Sequence, residues 1–320
     1  MRVLVTGAAG FIGANVTREL VQRGHLVTIM VKRETDLWRL SGMIPNSVFP
    51  ILGDLASGDA AATAVGLARP ECIIHCAARG AYPRQSGLVD LAMSNVLGFA
   101  NLLTAAAAAG CGHLINTGSS SEYGFQSAGP DEASPVLPNS IYAATKAWAT
   151  WVGQITAEEL GVAVTTLRLY SVYGPFEDPS RLIPRICVFG LRGEFPPMAQ
   201  PTLVRDYVYI DDAVAAYIAV MEAGAPRGSE IYNVGTGRET RLDEVAAASA
   251  RVFGLTTAPQ WGSYPDRSWE TERWFADPRK IERVYGWKPR LDLDQGLRQM
   301  RGWLECDDAL QERYWRPSYG

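Results

Sequence analysis

The sequence predicts an α/β fold, in which a doubly wound parallel sheet forms most of the molecule and a smaller lobe lies toward the C-terminus. Short apolar strands alternate with helices through the first half of the chain, as a parallel sheet requires. The chain opens on a strand, a glycine-rich turn and a helix. Beyond Gly174 the alternation is broken by prolines at positions 175, 179, 184, 196, 197 and 201, which predicts shorter, loop-connected elements there.

The opening stretch from Arg2 to Gly13 predicts a nucleotide site. An apolar strand runs into Gly7, Gly10 and Gly13, and an amphipathic helix follows. Gly7 allows a tight turn, Gly10 lets phosphates approach the backbone, and Gly13 lets the helix pack on the strand. Backbone N–H groups at the helix start, those of Phe11 and Ile12 included, then face an anion. We therefore expect a Rossmann-type sheet that binds a dinucleotide.

The elements after this stretch follow in order. Strands are predicted at 26–31, 48–52, 72–76, 113–117, 162–169 and 231–234, and helices at 60–68, 88–109, 142–160, 211–223, 242–253 and 294–304. We assign residues 1–174 to the dinucleotide-binding domain, with further sheet elements from about 206–240, and most of 175–320 to a substrate-binding lobe. A cleft is expected between the two, at the carboxyl ends of the strands.

Composition excludes several classes of protein. The 320 residues carry a net charge of −4, which argues against binding to nucleic acid or to an anionic membrane. We expect no membrane span, and no signal peptide because Met1 leads directly into the first strand. Five cysteines, an odd number, predict buried thiols in a reducing cytoplasm, and no Cys/His spacing predicts a metal site.

Tyr142 and Lys146 lie four residues apart on a predicted helix, so their side chains project from one face. A nearby ammonium group favours the phenolate and lowers the pKa of a tyrosine. Ser119, Ser120 and Ser121 follow a buried strand, where a hydroxyl can bind a substrate oxygen. A serine, a tyrosine and a lysine beside a dinucleotide make a proton-transfer site.

These motifs resemble the extended short-chain dehydrogenase/reductase family, in its nucleotide-sugar epimerase, dehydratase and ketoreductase branch. The similarity rests on T-G-A-A-G-F-I-G at 6–13, S-S-S-E-Y-G at 119–124 and Y-A-A-T-K at 142–146. It extends through R-D-Y-V-Y-I-D-D at 205–212, Y-N-V-G-T-G at 232–237 and Y-G-W-K-P at 285–289. The resemblance therefore covers nearly the whole chain and implies a nucleotide-diphosphate sugar as substrate.

The resemblance also implies roles for single residues. Tyr142 and Lys146 would contact the nicotinamide end of the cofactor as well as carry the catalysis. Asp54 and Leu55 would lie by the adenine, Ala77 and Ala78 would line the cofactor, and Asn95 would support the site. Arg205 and Arg267 would hold the substrate diphosphate, a task that suits the forked donors of guanidinium groups. A homodimer is implied, formed through the helices 88–109 and 142–160.

Three departures from the family pattern bear on the reaction. Many relatives have an acidic residue at the end of the second strand, whereas Lys32 and Arg33 follow Val31 here. Two cations suit a 2′-phosphate, which favours NADP(H), with NAD as the alternative.

The second departure concerns the acid that a dehydratase needs to protonate its leaving hydroxyl. If Ser119 is the active hydroxyl, the expected acidic pair is replaced by Ser120 and Ser121; if Ser120 is active, Glu122 returns to the acid position at the substrate. Third, Ser171 replaces an asparagine in a loop that touches the sugar, which leaves the sugar open.

Together these observations predict an NADPH-dependent reductase of a nucleotide-linked 4-keto-6-deoxyhexose, with Tyr142 as proton donor. The alternatives are a nucleotide-sugar epimerase that recycles its cofactor, a 4,6-dehydratase, and a binding protein without catalytic activity. Neither the nucleotide base nor the product stereochemistry can be read from the residues.

Overall fold

A computed structural model describes residues 1–80, 87–126, 128–263 and 272–315. The strands of its main sheet are β1 (Arg2–Thr6), β2 (Leu26–Val31), β3 (Val48–Leu52), β4 (Cys72–His75), β5 (His113–Ser119), β6 (Ala163–Leu169) and β10 (Ser229–Val234). They lie in the order β10-β6-β5-β4-β1-β2-β3, and every neighbouring pair is parallel. The chain reverses its direction of winding beside β1, which confirms the predicted doubly wound fold.

Helices cover both faces of this sheet. They are α1 (Phe11–Gln22), α2 (Gly58–Ala68), α3 (Leu88–Leu91), α4 (Gly98–Ala108), α5 (Ile141–Leu160), α6 (Leu182–Gly190), α7 (Ile210–Glu222), α8 (Leu242–Phe253), α9 (Arg279–Tyr285), α10 (Leu293–Glu305) and α11 (Asp308–Trp315). Val3 and Val5 face the core that contains α1 and α7, whereas Leu4 faces the core of α2, α4 and α5. Because both faces are buried, the strands are apolar throughout rather than alternating.

The C-terminal part contains more regular structure than the proline pattern predicts. The helices α6, α9 and α11 were not expected; Pro184 lies in the first turn of α6, where a proline costs no backbone hydrogen bond. Two small sheets were also missed: β7 (Ser171–Tyr173) with β9 (Tyr207–Tyr209), and β8 (Val204–Arg205) between β11 (Thr240–Arg241) and β12 (Arg273–Trp274). Strands of two or three residues are too short to show a periodic pattern.

One core cluster runs from Val3 to Tyr314, so the two predicted domains share buried contacts. The strand β10 joins the main sheet, as expected for the segment 206–240. The domain boundary at residue 174 stays a prediction.

The helical run Leu88–Ala108 contains a π-helical turn, Ala92–Leu97, between α3 and α4. By length and composition alone this run could cross a membrane, with 21 residues and a mean hydropathy of 1.4. Core helices of folded domains meet the same criterion, and 44% of this run is buried inside the protein.

Candidate active site

The glycine-rich turn between β1 and α1 has the geometry of an anion cradle. Gly7 adopts a φ of +70°, and a side chain there would collide with the backbone of Ala77. A side chain on Gly13 would collide with Gly7, so this glycine permits the close packing of α1 on the turn. The helix starts at Phe11 after Gly10, with no side-chain cap. Its N-terminal N–H groups, those of Phe11, Ile12 and Gly13, are therefore the donors suited to a diphosphate.

Lys32 and Arg33 follow β2 at the same end of the sheet. The Lys32 ammonium lies 2.7 Å from Oδ2 of Asp54, and both side chains are about half-exposed. Burial raises the pKa of Asp54, but the hydrogen bonds from Lys32 and from the Ala56 N–H outweigh this effect and lower it. Arg33 is exposed and makes no ion pair with the described residues. Lys32 therefore lies beside Asp54, and Leu55 follows Asp54 in the chain.

The loop after β4 carries Ala77 and Ala78 past the glycine turn. Asn95, in the π-helical turn, binds this loop through both of its amide atoms: Oδ1 accepts from the Arg79 N–H (2.7 Å), and Nδ2 donates to the Arg79 carbonyl (2.8 Å). Nδ2 also donates to Oγ1 of Thr145 at 2.9 Å. Asn95 thereby ties the loop to α5, one residue before Lys146.

Tyr142 and Lys146 lie on the first turns of α5, which begins after the cap residue Ser140. The Tyr142 ring packs against Gly80 in the loop after β4, where a Cβ atom would lie 3.1 Å from the ring. Lys146 is 3% exposed. Burial lowers the pKa of Lys146, and the charge of Glu122 together with Cys76 acts in the opposite direction.

The serine loop places Ser119 at the end of β5, with its Oγ 2.7 Å from Oγ of Ser121. Ser119 is half-buried, and Ser120 is 8% exposed. Of the two candidate hydroxyls, that of Ser119 belongs to the less buried residue.

The structure contradicts the substrate contact expected of Glu122. Its carboxylate is completely buried, and both oxygens are occupied. Oε1 accepts the Ser119 N–H at 2.8 Å, while Oε2 accepts from Thr150 Oγ1 and from Arg168 Nε, each at 2.9 Å. Glu122 points into the protein, so it cannot protonate a sugar hydroxyl from this position.

Two of the expected substrate residues lie in the two smaller sheets, one in each. Arg205 lies on β8 beside Trp274, with 5.6 Å between its guanidinium carbon and the ring centre. Ser171 pairs with Tyr207 between β7 and β9, and its N–H donates to the carbonyl of Asp206 at 3.0 Å. Arg267 lies outside the described residues.

Sequence reasoning missed the partners of Glu122. Arg168 is 1% exposed near the end of the buried strand β6, and Thr150 lies one turn beyond Lys146. A single arginine inside the apolar run A-V-T-T-L-R-L was a usable signal, because a buried charge requires a partner.

The parallel sheet, the glycine cradle and the Tyr–Lys pair define an enzyme of the short-chain dehydrogenase/reductase class. A family model described as the NAD dependent epimerase/dehydratase family matches residues 3–235, and the chain belongs to this family.

Its relatives act on nucleotide sugars. The chain is 31% identical over 307 residues to UDP-glucose 4-epimerase of Mycolicibacterium smegmatis, which covers 93% of this chain and 96% of that protein. It is 30% identical to RHM3 of Arabidopsis thaliana, a trifunctional UDP-glucose 4,6-dehydratase, 3,5-epimerase and UDP-4-keto-L-rhamnose-reductase. That match covers 94% of this chain and 47% of RHM3, so the chain spans about half the length of the plant relatives.

Among solved structures, dTDP-glucose 4,6-dehydratase from Streptomyces venezuelae, with NAD and TYD bound, superposes with a TM-score of 0.87. A double mutant of the same enzyme, with NAD and DAU bound, superposes with a TM-score of 0.86. The first of them is 28% identical in sequence and covers 98% of this chain and 100% of its own. These findings confirm the family, the fold and the enzyme class that the motifs predict.

Proposed function

We propose that this protein is an NADPH-dependent reductase of a nucleotide-linked 4-keto-6-deoxyhexose. The observation that carries the proposal is the serine loop. Ser120 and Ser121 occupy the positions after Ser119, and Glu122, the one acid of the loop, is locked in a buried ion pair. A serine loop whose one acid is buried and paired is poorly suited to eliminate water from a hexose, whereas Ser119, Tyr142 and Lys146 suit the reduction of a ketone.

Different groups of the chain bind the two diphosphates, polarise the carbonyl and transfer the proton in that reaction. The glycine turn and the N-terminus of α1 bind the cofactor diphosphate, and Arg205 binds that of the substrate. Ser119 donates a hydrogen bond to the keto oxygen, which polarises the carbonyl. Tyr142 gives its proton to this oxygen as the alcohol forms, and the Lys146 ammonium stabilises the phenolate left behind. A reduced nicotinamide cofactor held by these residues would supply the hydride for the carbonyl carbon.

The activity is tested by following NADPH oxidation with a 4-keto-6-deoxyhexose attached to a nucleoside diphosphate. We expect substrate-dependent oxidation in the parent protein and its loss in Tyr142→Phe, with cofactor binding retained. Absence of oxidation with all such sugar nucleotides would refute the reductase proposal.

A 4-epimerase is the second candidate, because the M. smegmatis epimerase matches nearly the full length of both chains. An epimerase returns its hydride to the sugar and consumes no cofactor. A cofactor that stays bound through dialysis, with interconversion of two sugar nucleotides and no net NADPH oxidation, would favour it.

The preference for NADP(H) rests on Lys32 and Arg33. Lys32→Ala should weaken binding of NADPH by about tenfold or less relative to NADH, because the site is exposed and its charges are screened. Lys288→Ala is the matched control, since Lys288 is 66% exposed and pairs with Glu282. Equal losses of affinity for NADPH and NADH in Lys32→Ala would contradict the preference for NADP(H).

We further propose a homodimer in the cytoplasm, built on the helical run 88–108 and on α5. Exposed apolar side chains on the two elements are Leu88, Val89, Met93, Leu97, Ile141, Trp151 and Ile155. Ile155→Glu should yield a monomer by light scattering, whereas Val284→Glu, at an exposed apolar position on α9, should not. A parent protein that is already monomeric would refute this assembly.

A further inference from the structure

The buried polar interior between the sheet and α5 centres on Glu122. Its three hydrogen-bond donors come from three different elements: Ser119 from the end of β5, Thr150 from α5 and Arg168 from β6. The carboxylate therefore joins the serine loop, the helix that carries Tyr142 and Lys146, and the sheet beneath them.

The surroundings are shaped to hold this carboxylate. A Cβ atom at Gly118 would lie 2.8 Å from Oε1 of Glu122 and 2.6 Å from Cγ2 of Thr166, so only glycine leaves the space. On the other side, the Arg168 guanidinium stacks on the Tyr123 ring at 4.4 Å. The Tyr123 hydroxyl in turn donates to Oδ1 of Asn233 at 2.8 Å. The ion pair is thus enclosed on all sides by packed groups.

Lys146 has few charged neighbours. Tyr142 lies on the same helix. His75 at the end of β4, Cys76 directly after it and Glu122 in the serine loop interact electrostatically with Lys146. Burial lowers the pKa of His75 to about 3 and raises that of Cys76 to about 11, so both are neutral near pH 7. Among these described groups Glu122 is the anion, and Arg168 is the cation that balances it.

We propose that the Glu122–Arg168 pair is a positioning element of the proton-transfer site, which fixes Ser119 against α5 and balances the charge around Lys146. The inference rests on the roles that the proposed function gives to Ser119, Tyr142 and Lys146. Neither member of the pair touches the reacting atoms; both act through the residues they hold.

The direct test measures the pKa of Lys146 in the whole protein. The chain has four lysines, at positions 32, 146, 280 and 288. Carbon-13 labelling at lysine Cε therefore gives four resonances, which single Lys→Arg variants assign. Titration of the parent, Glu122→Gln, Arg168→Met and the double variant requires no substrate.

The two single variants should shift the pKa of Lys146 in opposite directions. Glu122→Gln leaves the Arg168 cation unbalanced, so the pKa of Lys146 should fall by about half a pH unit or more. Arg168→Met leaves the Glu122 carboxylate without its counter-charge, so the pKa of Lys146 should rise. The double variant should return toward the parental value, while Lys32, Lys280 and Lys288 stay unchanged.

Thr150→Val is the matched control, because it removes a hydrogen bond from Oε2 without changing any charge. This control variant should leave the pKa of Lys146 unchanged.

If the pair is merely structural, the pKa of Lys146 would shift in the same direction in both single variants, or in neither. That result would overturn the proposal. If one single variant fails to fold, the other single variant and the double variant still determine the sign of the pKa shift of Lys146. A missing reductase activity would not affect this measurement, so the two proposals fail separately.

Discussion

Two glutamates are buried among the residues that the structure describes, and their surroundings differ sharply. Glu122 is 0% exposed and receives three hydrogen bonds, one of them from the Arg168 guanidinium. Glu177, in the loop after β7, is 5% exposed, and its Oε2 has no hydrogen-bond partner among the described residues. Its nearest cation is Arg181, at 3.6 Å.

The contrast shows how different the partners of two similarly buried carboxyls can be. Burial raises the pKa of Glu177 to about 8, with the Arg181 charge acting against this effect and Asp178 adding to it. At neutral pH this carboxyl is therefore largely protonated. Glu122 has a cation and two neutral donors around it, which is the arrangement that a buried carboxylate requires.

The largest expected effect compares the same substitution at both sites. Glu122→Gln should lower the free energy of unfolding by about 3–5 kcal/mol, because it leaves the Arg168 cation buried without a counter-charge. Glu177→Gln replaces a neutral acid by a neutral amide and should cost about 1 kcal/mol or less near pH 7. Urea unfolding of the two variants measures both values. Similar losses of unfolding free energy in the two variants would contradict the difference between the two buried carboxyls.

The next effect concerns pH. Because the pKa of Glu177 is raised on folding, from an ordinary value of 4.5 to about 8, the folded state binds the proton more tightly. Its contribution to stability is fully present below about pH 4.5 and is lost as the pH rises toward about 8, by at most about 1.4 kcal/mol per pH unit. Urea midpoints at pH 5 and pH 8 should therefore differ less in Glu177→Gln than in the parent. An unchanged difference would show that this carboxyl does not titrate in the range.

The smallest effect removes one neutral partner of Glu122. Thr150→Val should lower the free energy of unfolding by about 1 kcal/mol, since one hydrogen bond to a buried carboxylate is lost while the ion pair stays. Chemical denaturation against the parent measures it. A loss as large as that of Glu122→Gln would mean that the hydroxyl, and not the charge, dominates the site.

The sequence predicted the sheet and the glycine-rich turn after β1 well, because both depend on local patterns. Apolar strands such as 26–31 and 48–52 were placed with their observed ends, and Gly7 and Gly13 lie where their missing side chains are needed. The direction of the Glu122 side chain could not be predicted. It depends on Arg168, 46 residues further along the chain, and on space left by Gly118. Contacts between distant segments have no periodic signature in one sequence.

The central claim, that the sugar ketone receives a hydride from NADPH and a proton from Tyr142, is tested most directly by isotope transfer. The measurement uses NADPH deuterated at nicotinamide carbon 4, a nucleotide-linked 4-keto-6-deoxyhexose, and mass and NMR analysis of the product. The account predicts one deuterium at sugar carbon 4 and a rate about 10²- to 10⁴-fold lower in Tyr142→Phe. A product without deuterium, or a Tyr142→Phe protein as fast as the parent, would contradict it.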